Sequence, residues 1–129
     1  KENIPFVDRA GACAIVHSDD ANGIQRLNQE AAKVMAHARL AGMEIAPERA
    51  IRWVTSNAAK SLGVLDRTGT LEAGKMADVV VWSGNPFSVY AKADQVYVDG
   101  ARVFDRADRS RQPTSDFLLG QDNGQGGVR

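Results

Sequence analysis

Apolar positions change their spacing along this chain, and each change predicts a different kind of element. Ala12-Cys13-Ala14-Ile15-Val16 is a continuous apolar run without alternation, the texture of one buried strand covered on both faces, as in a parallel sheet. From Leu27 the apolar residues recur at Ala31, Val34, Met35 and Ala38, while Asn28, Gln29, Lys33 and His37 fall on other faces. That is helical spacing, and Gly42 stops it. A second helical segment opens at Pro47, a residue suited to a first turn, and keeps Ile51, Val54, Ala58 and Leu62 in step until Gly63. The stretch Thr55 to Asn57 leaves open whether that helix is continuous or kinked.

After Gly63 the texture turns from helical to β. Thr68-Gly69-Thr70 and Ala73-Gly74-Lys75 are turn signals flanking short extended pieces. Val79-Val80-Val81-Trp82 is the strongest strand and ends at Ser83-Gly84-Asn85-Pro86. Gln95 to Val98, then Asp99-Gly100, then Ala101 to Phe104 predicts a tight hairpin with a type I′ turn. Past Phe104 the pattern fades. From Arg106 to Arg129 the chain is rich in Arg, Asp, Gly, Gln and Ser, with Phe117, Leu118 and Leu119 as its apolar cluster, the composition of a loosely held tail. The chain thus divides into residues 1–64, 65–105 and 106–129.

Composition narrows the function classes. Sixteen basic and 16 acidic residues are scattered among one another in 129 residues, giving a formal net charge of zero. Without a basic stripe to neutralise phosphates, nucleic-acid binding is not expected. Cys13 is the single cysteine; it cannot form an internal disulfide and reads as a small buried hydrophobe. No apolar stretch approaches the ~18 residues needed to span a bilayer, and the start Lys1-Glu2-Asn3-Ile4-Pro5 has no signal-peptide core. A soluble protein of the cytoplasm or periplasm, without a membrane partner, is expected. The chain opens on Lys1 rather than Met, and Ala12 to Val16 needs neighbours that nothing else in the sequence supplies as a parallel partner. The expectation is therefore a portion of a longer protein.

The candidate chemistry sits directly after the apolar run, in His17-Ser18-Asp19-Asp20. Carboxylates at the C-terminal end of a strand occupy the position where α/β barrels keep their reacting groups. The local sequence leaves Asp19 open between a surface or helix-capping role and a metal ligand. Asp20 points elsewhere if the strand geometry persists, and reads as a loop or N-cap residue with a fallback role as ligand. His17, two residues before Asp19, would share its side of the strand and is either a satisfied imidazole or a ligand. Asn22 and Gly23 lie in the following loop and are candidates, with His17 and Asp20, to line a substrate pocket. His37 is read as solvated surface.

The stretch Thr55-Ser56-Asn57-Ala58-Ala59-Lys60-Ser61-Leu62-Gly63, followed by Gly69-Thr70-Leu71-Glu72-Ala73-Gly74-Lys75-Met76-Ala77-Asp78-Val79-Val80, strongly resembles the C-terminal signature of metal-dependent amidohydrolases, with the imidazolonepropionase-related hydrolases as the nearest group. The resemblance continues through Val96, Val98, Gly100 and Val103 and extends back to Asp19. It implies an α/β fold: residues 1–64 would be the last strand and helices of an amidohydrolase TIM barrel, and 65–105 a small antiparallel β segment of the accompanying β-sandwich. Gly69, Gly74 and Asp78 would then serve structure, permitting turns and bonding backbone amides at the start of a strand. Asp19 matches the aspartate that in the family ligates a catalytic divalent metal, Zn²⁺ first among candidates and one or two ions, and acts as general base for the attacking water. The implied partner is a cyclic amide or a small amide or peptide-like molecule whose C–N bond is hydrolysed.

The resemblance also says what is missing. The family pattern uses a His-x-His pair, a Lys or Glu and two further histidines from earlier barrel strands, whereas this sequence holds two histidines, His17 and His37, and no His-x-His. A catalytic zinc takes three protein ligands and keeps an open position. The chain by itself is therefore expected to be inactive and to need the missing upstream barrel. The competing expectation is a non-catalytic structural or interaction module that assembles, for instance as a homo-oligomer, through exposed strand edges.

Overall fold

A computed structural model describes residues 3–111 of the chain. It begins with an element that the hydrophobic pattern does not announce, helix α1 (Asn3–Arg9). Pro5 lies in its first turn, where a backbone N–H would have no intrahelical acceptor, and is fully buried.

The run Ala12 to Val16 is extended but is not a strand, which corrects the sequence reading. A strand needs a laddered neighbour, and no parallel strand lies beside this segment among the described residues. It leans instead on the helical layer: the Val16 N–H donates to the Trp53 carbonyl at 3.0 Å, and the Asn57 side-chain amide donates to the Ala14 carbonyl at 2.8 Å. One covered face gives period-two burial. Ala14 and Val16 are buried, while Cys13 is exposed rather than buried as expected.

Helix α2 (Leu27–Leu40) follows a 3-10 turn at Ile24–Arg26 and buries Ala31, Val34 and Ala38 on its expected face. His37 is half-buried rather than fully solvated. Both glycine stops take the same form. At Gly42, φ +74°, the Met43 N–H reaches back to Ala38 O at 2.8 Å and the Gly42 N–H to Arg39 O at 3.0 Å. At Gly63, φ +72°, Val64 bonds Ala59 O at 2.9 Å and Gly63 bonds Lys60 O at 3.1 Å. These paired bonds are Schellman motifs, which satisfy carbonyls that the helix end would otherwise orphan.

The second helical segment is broken into α3 (Pro47–Ala50), a 3-10 stretch Ile51–Val54 and α4 (Ser56–Ser61). The break falls at Thr55, whose backbone leaves the helical region (φ −132°, ψ −97°). Its hydroxyl donates back to the Ile51 carbonyl at 2.8 Å, the local competition by which threonine bends helices. The tightened stretch delivers Trp53, fully buried, into a core of Ala14, Val16, Ala31, Val34 and Ala50. One indole surrounded by small residues fills the space between α2 and the extended segment.

The β region is a three-stranded antiparallel sheet in the order β1 (Val79–Trp82), β2 (Ala93–Val98), β3 (Ala101–Asp105). Val80, Val96 and Phe104 lie in one cross-strand row. The predicted hairpin turn forms, with Asp99 at φ +49° and Gly100 at φ +80°, the two left-handed positions of a type I′ turn. The sheet meets the helices through loops: Phe87 packs against the helical core, and the Asn28 side-chain amide donates to the Pro86 carbonyl at 2.6 Å. No helix among the described residues is long and apolar enough to cross a membrane. Phe117, Leu118 and Leu119 of the predicted tail lie outside the described residues.

Candidate functional site

The Trp53 and Asn57 bonds fix the direction in which the extended segment leaves the core, and His17 to Gly23 emerge at its end. Here two adjacent carboxylates have different fates. The Asp20 carboxylate accepts the Gly23 N–H at 2.9 Å, and the Asp20 carbonyl accepts the Ile24 N–H at 3.1 Å. The Ser18 hydroxyl accepts the Asp20 N–H and donates to the Asp20 carbonyl, both at 3.1 Å. Asp20 is thus a loop residue, bonding an amide just ahead of the 3-10 turn. Asp19 stays open: its side chain is 97% exposed, with the His17 Nδ1 3.4 Å from Oδ1.

The structure therefore brings His17 and Asp19 together and turns Asp20 away into the loop. Asn22 sits exposed in the same turn. A carboxylate oxygen and an imidazole nitrogen suit a divalent ion of the zinc type. Among the described residues, however, no group of three or more His, Cys, Asp or Glu could hold a metal ion. Two donors fall short of the three protein ligands of a catalytic zinc, so these residues alone do not fit a complete metal centre.

Sequence reasoning missed a second polar feature. Asp8, at the end of α1, is 9% exposed. It receives the Arg49 Nε from α3, while the Arg49 Nη2 donates to the Asp8 carbonyl at 2.6 Å. Beside this pair opens a cleft of about 520 Å³, lined by Cys13, Arg49, Arg52, Asn57 and Lys60 among others. Neither local periodicity nor a motif links residues 41 apart, and the signal was out of reach once α1 itself went unread.

The signature residues of the β region act as expected, through the backbone. Asp78 accepts the Asp99 N–H at 2.9 Å on Oδ1 and the Thr68 hydroxyl at 2.8 Å on Oδ2. The Asp99 amide first and the Thr68 hydroxyl second hold its carboxyl below the usual carboxylate range. Glu72 is likewise held low by the Lys75 ammonium, 2.9 Å away. Gly69, φ +94°, lies so close to α4 that a Cβ there would come within 2.5 Å of the Ala59 Cβ.

The helical layer with its small antiparallel sheet superimposes on an amidohydrolase of known structure. The amidohydrolase from Thermotoga maritima superimposes with a TM-score of 0.69 at 34% identity, over 81% of this chain and 26% of that one. The chain belongs to the Amidohydrolase family, whose pattern matches residues 5–112. Among relatives, the imidazolonepropionase of Thermoplasma volcanium is 33% identical over 108 residues, 78% of this chain and 26% of that protein. The imidazolonepropionase of Mesorhizobium japonicum is 35% identical over 82 residues, 64% of this chain and 20% of that protein. The chain spans about a quarter or less of the length of these curated relatives.

Proposed function

We propose that this chain is the C-terminal part of a hydrolase acting on C–N bonds of a cyclic amide or a small amide or peptide-like molecule, and that Asp19 is the carboxylate it contributes to a site completed by residues beyond it. Family membership supports the reaction class, and relatives named for an imidazolone support a cyclic amide as substrate. On this reading residues 1–64 end a barrel, 65–105 belong to the accompanying β-sandwich and 106–129 form a tail. The observation that carries the proposal is the contrast between adjacent aspartates, Asp20 engaged by its own loop and Asp19 open at the end of an anchored segment.

Asp19 would take the proton from the attacking water and return it to the departing nitrogen. His17, 3.4 Å away, would orient that carboxylate, and Asn22 would face the substrate. The family's divalent metal, zinc by first choice, would supply a polarised water. Because this chain's own donors do not complete such a centre, no step of the reaction is assigned to a metal here, and the 129-residue chain alone should not turn over substrate. The test is Asp19→Asn in the full-length enzyme, assayed on a panel of cyclic amides. A fall in kcat of about 10²–10⁴-fold is expected for loss of a general base; wild-type turnover would remove Asp19 from the mechanism.

A second reading, a non-catalytic module that assembles through its strand edges, is favoured by the exposure of Val80, Val81, Val98 and Val103 on the sheet.

A further inference from the structure

We infer that Ser18 and Asp20 are positioning residues that clamp the backbone on either side of Asp19 and so aim its carboxylate; the inference rests on the reading of Asp19 as the reacting group. The Ser18 hydroxyl spans Asp19 by bonding both the N–H and the C=O of Asp20. The Asp20 carbonyl also accepts Ile24 N–H, so both of its lone pairs are used. Its carboxylate then closes the turn on the Gly23 N–H. A Cβ on residue 23 would run into the Ser18 hydroxyl oxygen, so a larger residue there would displace that hydroxyl from the clamp. Four hydrogen bonds thus converge on Asp20 from a loop of seven residues, and none of them uses the Asp19 side chain.

The clamp is exposed, so it adds little to global stability. Reactivity is more sensitive, since a misplacement of ~1 Å at a reacting group can cost about 10²-fold in rate. A positioning role therefore predicts that breaking the clamp lowers kcat much more than it lowers the melting temperature, a pattern that a merely structural role would not give.

Two measurements test the inference. In the 129-residue chain, hydrogen exchange at the Gly23 amide should be slowed, should accelerate in Asp20→Ala, and should stay slow in Asp20→Asn, whose side-chain oxygen still accepts. In the full-length enzyme, with a cyclic amide as probe, Ser18→Ala and Asp20→Ala should lower kcat by up to about 10²-fold with KM little moved. Ser18→Thr and Asp20→Asn should restore most of the rate. The inference is overturned if Asp20→Ala frees the Gly23 amide yet keeps wild-type kcat. It is also overturned if Asp20→Asn is as impaired as Asp20→Ala, which would make the charge of Asp20, rather than its acceptor oxygen, the working feature. Wild-type turnover in Asp19→Asn would instead sink the underlying reading of Asp19, a separate result.

Discussion

Asp78 and Asp99, 21 residues apart, are joined by a 2.9 Å hydrogen bond from the Asp99 backbone N–H to the Asp78 carboxylate. Asp99 is the first left-handed residue of the hairpin turn, and its neighbour Gly100 donates to the Ala77 carbonyl at 3.1 Å. The residues that lead into β1 therefore hold the far end of the β2–β3 hairpin. Through the Thr68 hydroxyl the same carboxylate also ties down the loop after α4. One side chain fastens three segments that are remote in sequence.

This clamp should depend on pH. The Asp99 amide, and then the Thr68 hydroxyl, favour the ionised form in the folded chain. The folded pKa of Asp78 is thus lower than the unfolded one. Its stabilisation is complete above the ordinary carboxylate range and is lost as pH falls through the folded value. Asp78→Asn keeps an acceptor oxygen and removes the charge. Urea denaturation should show the variant less stable at about pH 7, with the gap closing toward about pH 3. A gap that stays constant between those values would mean that ionisation of Asp78 contributes nothing.

Two glycines with similar backbones separate strain from crowding. Gly69 and Gly74 have φ of +94° and +89°. A Cβ at Gly69 would meet Ala59 Cβ at 2.5 Å and the Ser56 backbone at 3.2 Å, whereas nothing lies within 4 Å of one at Gly74. Both alanine variants pay for a left-handed residue, about 1 kcal/mol. Gly69→Ala should lose about 1–3 kcal/mol more, the usual range for overpacking. Equal melting temperatures for the two variants would show that α4 yields freely at this contact.

Where the sequence carried local information, it predicted the structure well. The helix stops at Gly42 and Gly63 and the Asp99-Gly100 turn depend on one residue's freedom at positive φ, a property visible in the sequence. Ala12 to Val16 was legible as apolar and extended but not in its pairing, because a strand is defined by a neighbour and the neighbour here is a helical turn carrying Trp53. Helix α1 was hidden for another reason: with seven residues and an early proline it shows too little periodicity. At the candidate site, the sequence set Asp19 apart from Asp20 only on the premise of a continuing strand, whereas the chain bends at both residues. The Ser18 and Gly23 contacts that hold them apart are tertiary detail of a loop, beyond the reach of spacing rules.

The Asp8–Arg49 pair offers a stability test within the helical layer. The Asp8 side chain is 11% exposed and that of Arg49 49%. Removing the arginine strands a mostly buried carboxylate and deprives the Asp8 carbonyl of a donor. Breaking a fully buried pair costs 3–5 kcal/mol; the half-exposed guanidinium reduces this to about 1–2 kcal/mol. Arg49→Met should show that loss in urea denaturation. Asp8→Asn/Arg49→Met should recover part of it, because the stranded charge is gone. A double variant as unstable as the sum of the singles would show that the two side chains act independently.

The sheet carries the last prediction, and it separates the catalytic reading from the assembly reading. β1 forms one edge of the sheet, and its sequence Val79-Val80-Val81-Trp82 has no charge, proline or glycine to deter another strand. Val80 and Val81 face opposite sides, yet both are more than 40% exposed, so a second copy could pair there and cover apolar surface on both faces. Edge-driven assembly predicts a concentration-dependent dimer in analytical ultracentrifugation. Val81→Lys should return it to monomer while shifting folding stability by no more than about 0.5 kcal/mol, as for other exposed positions. A wild-type chain that remains monomeric across the concentration range would eliminate self-assembly through this edge and remove the observation that favours the assembly reading.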